Sequence, residues 1–203
     1  MEYPNALEAQ AGEKVSRLLS VLADYEVVTN NTSEIWVTEL SRCLRRSFLM
    51  RREGRVRVSL NEAMKMHIGA GLHMRLQKIL ARHGFETEKR VERKTALGFR
   101  IVGRVDVYDP SEEAVYELKY THHLGTIDKV KLSNYLRQLH YYMEMTEAKV
   151  GYLIIVHADG QVTEYKRTQR YTDLEARANA FGISVEENIL PPRKKVPDAE
   201  CAE

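Results

Sequence analysis

Two neighbouring stretches decide the reading of this chain: Gly103-Arg104-Val105-Asp106 and Val115-Tyr116-Glu117-Leu118-Lys119-Tyr120. On a strand, residues two apart point to the same face, so Glu117 and Lys119 project together with Leu118 on the opposite, core side. Asp106 lies on the preceding strand, and pairing across the intervening turn can bring its carboxylate beside Glu117. Two carboxylates and an ammonium converging at a strand edge have a definite chemical use. The carboxylates offer hard oxygen ligands to a divalent cation, and the lysine positions or activates a water beside it. A bound cation lowers that water's pKa and neutralises charge building on a phosphoryl oxygen. The plainer alternative is a cross-strand ion pair on a solvated face, worth at most about 1 kcal/mol. Two features weigh for the cluster. Gly103 sits in a strand interior, where glycine is costly unless something approaches closely. The flanking Ile101, Val102, Val105, Val107, Val115 and Leu118 mark central strands.

Working outward, Glu86–Thr95, Phe99–Tyr108 and Ala114–Tyr120 form three short strands of a meander, separated by Ala96-Leu97-Gly98 and Asp109-Pro110-Ser111. Upstream the period is helical. Asn5 to Ala23 carries Leu7, Val15, Leu18, Leu19 and Leu22 at spacings near three and four. Ile35-Trp36-Val37 is a short extended run, and Thr38 or Ser41 caps a helix to about Arg52, broken at Gly54. Leu60 to His83 is a long helix ended by Gly84, with an apolar stripe of Met64, Ile68, Leu72, Leu76, Ile79 and Leu80. Downstream, Val130 to Glu147 is helical and Gly151–His157 is an apolar strand of the buried kind. Asp159-Gly160 turns the chain into Val162–Arg167, Thr172 to Phe181 starts a last helix, and Pro191-Pro192 opens a polar tail. The order α-α-α-β-β-β-α-β-β-α is an α/β fold, a mixed sheet with helices packed around it.

Composition bounds the class. With 203 residues, 43% hydrophobic and 30% charged, the chain can build a core and is no disordered tail. Two cysteines, Cys43 and Cys201, make no disulfide framework. The longest apolar run, near Tyr152–Val156, is far short of the roughly 20 residues that span a bilayer. The N-terminus lacks a positive n-region and an apolar stretch, so a cytoplasmic protein is expected. A net charge of +2 hides strong segregation. Seven arginines, Arg42, Arg45, Arg46, Arg51, Arg52, Arg55 and Arg57, face one acid, Glu53, within Arg42–Arg57. A second basic stretch runs from Arg75 to Lys94, Arg193-Lys194-Lys195 closes the chain, and acids gather at Glu112-Glu113 and Glu186-Glu187. Such segregation lets a protein hold a polyanion on one face while staying near neutral overall.

Further features stand in order around the cluster. His73, in Gly69-Ala70-Gly71-Leu72-His73, lies in a helix whose small residues permit close packing; alone it reads as an ordinary core or surface histidine. Gln138 and Tyr142 are spaced i, i+4 on one helical face and can hydrogen-bond a phosphate backbone. Taken together these residues read G-x-x-x-H, G-x-x-D, E-x-K and Q-x-x-x-Y. That series resembles the RecB-like branch of the PD-(D/E)XK nucleases. The preceding Val-Thr-Glu-Leu-Ser-Arg-Cys-Leu-Arg-Arg-Ser-Phe stretch is similar to the CRISPR-associated exonuclease of that branch, the "Cas-four" family. The likeness runs from about Val37 to Cys201.

The resemblance implies a restriction-endonuclease-like mixed sheet. It divides the chain into an N-terminal helical segment with the Arg-rich helix (1–58), a RecB-like nuclease core (59–190) and a tail (191–203). By position it implies His73, Asp106 and Glu117 as metal ligands, with the Leu118 carbonyl a further one. It also implies Lys119 as the catalytic lysine, with Gln138 and Tyr142 supporting the site or the bound strand. The implied activity is that of a DNA exonuclease using Mn²⁺ or Mg²⁺, and a histidine among the ligands suits Mn²⁺ at least as well. Arg42, Arg45, Arg46, Arg51 and Arg52 would grip DNA, a single strand by preference, with Tyr120, Tyr135 and Tyr142 as stacking partners. The biological role implied is trimming DNA fragments for a CRISPR array beside integrase proteins, with self-association also open. Val105 stands where the superfamily name puts proline. The family's iron–sulfur cluster needs four thiolates, whereas this chain has Cys43 and Cys201. Glu200-Cys201-Ala202-Glu203 reads as a cut C-x-x-C, so truncation is the expected explanation, beside loss of the cluster and two unrelated thiols. Two competing functions remain: a non-catalytic DNA-binding or assembly module on a nuclease fold, and a restriction-type endonuclease of the same superfamily.

Overall fold

The computed structural model of the protein describes residues 21, 26–28, 33–122, 127–169 and 173–192. The expected helix Asn5–Ala23 (Val21 apart), the basic Arg193-Lys194-Lys195 and Cys201 lie outside the described residues. In chain order the elements are β1 (Glu26–Val28), β2 (Glu34–Trp36), α1 (Val37–Ser41), α2 (Leu44–Glu53) and β3 (Arg55–Arg57). The long helix α3 (Leu60–Ala81) follows, then β4 (Glu86–Lys94), β5 (Arg100–Asp109) and β6 (Ala114–Thr121). Last come α4 (Lys129–Thr146), β7 (Val150–His157), β8 (Val162–Arg167) and α5 (Leu174–Glu186).

The meander forms as expected, because β4–β5 and β5–β6 are both antiparallel. β7 then runs parallel to β6, and a parallel neighbour needs a crossover, which α4 supplies. With β2 parallel to β5 and β8 antiparallel to β7, the result is a six-stranded mixed sheet flanked by helices, the expected α/β class. β1 and β3 form a separate antiparallel pair. Gly151 explains how α4 lies so close on the sheet: a Cβ there would come within 2.5 Å of the Met143 sulfur and 3.0 Å of Leu139. Residues of β7 alternate between buried and half-buried, so this strand buries one face (Gly151, Leu153, Ile155, His157) and not two, as its apolar run had suggested. Among the described residues, no helix is long and apolar enough to cross a membrane.

Two helices depart from expectation. The helix anticipated through Arg52 is broken at Arg42, whose backbone is extended, giving α1 and α2. Side chains fill the hydrogen bonds the break leaves open. Ser47 donates to the Glu39 carbonyl at 2.8 Å, and the α5 residue Arg177 donates to the carbonyls of Leu40 and Arg42 at 2.9 and 2.7 Å.

The second departure is α3. A Ser59/Glu62 capping box starts this helix, yet its apolar stripe is not core. Met64, Ile68 and Ile79 are 37, 49 and 40% exposed, and only Ala63 and Gln77 are buried. The residues α3 turns toward the sheet are Gly69, His73 and Gln77, spaced by four; a Cβ on Gly69 would stand 4.0 Å from that of Tyr120. Small and polar residues occupy the seam because it lies over the charged cluster described next.

Candidate active site

Strand β5 has two edges, and they are used differently. One pairs with β4 along almost its whole length. The other pairs with β2 over Arg100–Val102 and with β6 only over Val107–Asp109. Gly103 to Asp106 therefore have no strand partner on that edge. Had the β5–β6 ladder gone one step further, Asp106 would pair with Glu117. Instead the strands part there, and Asp106 Oδ2 accepts a hydrogen bond from the Leu118 amide at 2.8 Å. The parting opens a gap in the sheet lined by Asp106 and Glu117.

Four charged groups meet at that gap. His73 Nδ1 lies 3.7 Å from Asp106 Oδ1. Lys119 Nζ donates to Glu117 Oε1 and stands 5.2 Å from the Tyr135 ring centroid. Glu117 is completely buried, and its Oε2 has no hydrogen-bond partner. Burial, reinforced by the Asp106 charge and opposed by Lys119, pushes the Glu117 carboxyl up to about 8. Burial also pushes Asp106 up, but the His73 contact, Lys119 and the Leu118 amide outweigh it and hold Asp106 below its ordinary value. The Asp106 contact raises His73 against burial. Burial lowers Lys119, and the two carboxylates overcome it and keep the amine charged.

Among the described residues, no three His, Cys, Asp or Glu side chains stand close enough to hold a metal ion as they are. Lys119 has the near oxygen of Glu117. The donor chemistry nevertheless fits a hard cation. Two carboxylates and an imidazole line one gap, and one fully buried carboxylate oxygen, Glu117 Oε2, is left without a partner, a cost that a cation would remove.

The remaining predicted residues divide into those brought to the gap and those kept from it. Gln138 and Tyr142, both buried on α4, are joined by a 3.4 Å hydrogen bond from Gln138 Nε2 to the Tyr142 hydroxyl. Tyr142 lies against Gly103, where a Cβ would come within 2.5 Å of its ring and 3.0 Å of Val37. That contact explains the glycine. Burial, then the Glu117 charge, pushes the Tyr142 phenol far up, so it stays neutral. At 2% exposure Tyr142 cannot stack on a base, contrary to the stacking role anticipated for it.

Arg51, expected among the arginines that grip DNA, is instead buried and engaged within the fold. Its guanidinium donates to both Glu39 oxygens, at 2.9 and 2.6 Å, and to the Glu34 carbonyl at 2.7 Å. Arg42 donates to the Thr38 carbonyl at 2.9 Å and Arg45 to that of Pro191 at 3.4 Å. Arg46 and Arg52 are exposed. Cys43 is buried at the start of α2.

Sequence inspection did not single out Gln77. It lies one helical turn after His73, and its Nε2 donates to Glu88 Oε1 at 2.5 Å and to the Asp106 carbonyl at 3.4 Å. The i, i+4 spacing from His73 was the available signal.

No protein-family model matches the chain, and no curated protein matches it in sequence. Solved structures do match. The protein SSO0001 is 22% identical, with 94% of each chain covered and a TM-score of 0.62. An alkaline exonuclease (LHK-Exo) from Laribacter hongkongensis is 14% identical over 77% of this chain and 90% of that one, with a TM-score of 0.54. At these identities the likeness is one of fold, and it is a fold that an exonuclease uses.

Proposed function

We propose that this protein is a divalent-metal-dependent deoxyribonuclease that shortens DNA from its ends. One observation carries the reading: Asp106, Glu117 and Lys119 gather where β5 and β6 part, with a buried Glu117 oxygen left unpartnered. The fold shared with an alkaline exonuclease agrees with it.

His73, Asp106 and Glu117, with the Leu118 carbonyl, would hold a Mg²⁺ or Mn²⁺ ion, which supplies positive charge for a phosphoryl oxygen and acidifies a water. Asp106, held low in pKa, keeps its charge across the neutral range. Glu117 must give up its proton, so it is the residue that makes the site pH-sensitive. Lys119 remains an ammonium and therefore orients the attacking water and the phosphate as a donor; it does not abstract a proton. Gln138 and Tyr142 stand together on α4, near enough for the Glu117 charge to act on the Tyr142 phenol. Arg46 and Arg52 offer exposed charge to the strand's phosphates. Among the described residues nothing that would read base edges stands out, so no strong sequence preference is proposed; a single strand is proposed as the favoured substrate.

The family resemblance extends this to trimming DNA fragments for CRISPR spacer acquisition in the cytoplasm beside integrase proteins. An iron–sulfur cluster would need two thiolates besides those of Cys43 and Cys201, and Cys43 is disulfide-bonded in this structure, so its thiol would first have to be released by reduction. The end-dependent reading is tested by offering linear single-stranded DNA, linear duplex and closed circular duplex of one sequence with Mn²⁺. Loss of linear forms alone supports it. Cutting of the circle makes the protein a restriction-type endonuclease, and binding without cutting makes it a non-catalytic module.

A further inference from the structure

The β4–β5 ladder has one missing rung. Pairs run from Glu86–Tyr108 and Thr87–Val107 to Lys89–Val105 and on to Lys94–Arg100 in constant register, but Glu88 and Asp106 do not pair. Glu88 has φ +53°, a left-handed backbone inside a strand, which a residue with a side chain adopts only when its surroundings impose it. Asp106 thus lacks a ladder partner on both edges of β5. Its carbonyl instead accepts from Gln77, whose Nε2 also binds Glu88 Oε1. The other Glu88 oxygen accepts from Arg104 at 3.3 Å. Gln77 is 8% exposed and shares its helical seam with His73. One amide therefore fastens α3 to β4 and β5 beside the residue that His73 must meet.

We propose that Gln77 and Glu88 are a positioning pair that sets His73 of α3 against Asp106 of β5, and through that spacing sets the site's affinity for its cation. The inference rests on the metal-dependent reading above and names what tunes it. The left-handed turn at Glu88 follows from the same requirement: it turns the Glu88 carboxylate to Gln77 and leaves the Asp106 carbonyl for the same amide. Polar groups that orient ligands in this way are commonly worth about 10–100-fold in metal affinity.

The test uses the full chain and Mn²⁺ alone, with free ion read by electron paramagnetic resonance, on wild type, Gln77→Leu, Glu88→Gly and Glu88→Gln. Gln77→Leu and Glu88→Gly are expected to weaken Mn²⁺ binding by about 10–100-fold. Glu88→Gln keeps an oxygen for Gln77 and stays near wild type. Glu88→Gly removes the side chain but relieves the left-handed backbone, so its melting temperature is held or raised while affinity falls. A purely structural role would move both together. A metal-free measurement accompanies it: Leu118 amide exchange, which Asp106 protects, should accelerate in Gln77→Leu and Glu88→Gly. Unchanged affinity in those two variants, or a loss that follows melting temperature through all three, overturns the proposal. Should wild type bind no Mn²⁺, the metal reading fails, and Leu118 exchange alone decides the positioning role: unchanged exchange refutes it, faster exchange upholds it.

Discussion

The Asp106 carboxylate takes the Leu118 amide hydrogen at 2.8 Å, where an antiparallel ladder would have supplied a carbonyl. One side chain thus both closes the parted strands and stands beside Glu117.

That double duty separates two substitutions. Asp106→Asn keeps an oxygen for the Leu118 amide but gives up the charge that His73, Lys119 and that amide favour, so at pH 8 it should melt below wild type and above Asp106→Ala. Asp106→Ala leaves a buried amide unsatisfied and should be less stable than Asp106→Asn by about 1–3 kcal/mol. Thermal denaturation of the pair checks this, and equal stabilities would deny the Leu118 bond its role.

Glu117 gives the fold a pH-dependent weakness. Its carboxyl sits at about 8 in the folded protein against 4.5 ordinarily, burial being the main cause. The stability that the neutral acid confers is fully present below the ordinary value and is lost as pH rises through about 8. Glu117→Gln cannot ionise. Without metal, the variant should gain melting temperature over wild type as pH climbs from 5 to 9, with the difference smallest at the acid end. For a chain of this length each kcal/mol moves the midpoint about 2–4 °C. A difference flat across that range would contradict the buried charge. The same variant should lose cleavage, since a stabilising change at a strained site commonly costs activity.

At Gly103, alanine would drive a methyl to within 2.5 Å of the Tyr142 ring. Overpacking of this kind costs about 1–3 kcal/mol, and displacing Tyr142 disturbs the wall behind Glu117. Gly103→Ala should therefore lose both stability and cleavage. Adding Tyr142→Leu should restore part of the stability, because it withdraws the clashing ring; no recovery in the double variant would place the strain elsewhere.

The arginines should divide by burial. Arg46→Ala and Arg52→Ala should each weaken binding to single-stranded DNA and lower the slope of log affinity against log salt by about 0.7. Arg51→Ala should unfold the protein more easily, since it leaves the Glu39 charge with the Trp36 amide but no guanidinium, and breaking a buried pair costs about 3–5 kcal/mol. Titration at several salt concentrations with parallel melting curves distinguishes the two outcomes.

These contrasts mark what the sequence could and could not disclose. Period-two and period-four patterns found the meander, the α4 crossover and the convergence of Asp106, Glu117 and Lys119, because local alternation dictates which side chains share a face. Burial in α3 was misjudged because its inward seam is Gly69, His73 and Gln77, chosen for the site and not for hydrophobicity. Arg51 looked like part of a basic patch because nothing local reveals that Glu39 and the Glu34 carbonyl will enclose it. The unpaired rung at Glu88 is likewise a tertiary event, imposed through Gln77 from another element.

The most direct test of the site is the shortening of end-labelled linear DNA in Mn²⁺, in Mg²⁺ and in EDTA. Wild type would be compared with Asp106→Asn and with Lys119→Met, each shown by circular dichroism to be folded. Wild type should shorten the DNA with either metal and not in EDTA, and each variant should lose about 10²–10³-fold or more. Shortening that persists in both folded variants, or in EDTA, would show that the Asp106–Glu117–Lys119 cluster is not the catalytic centre.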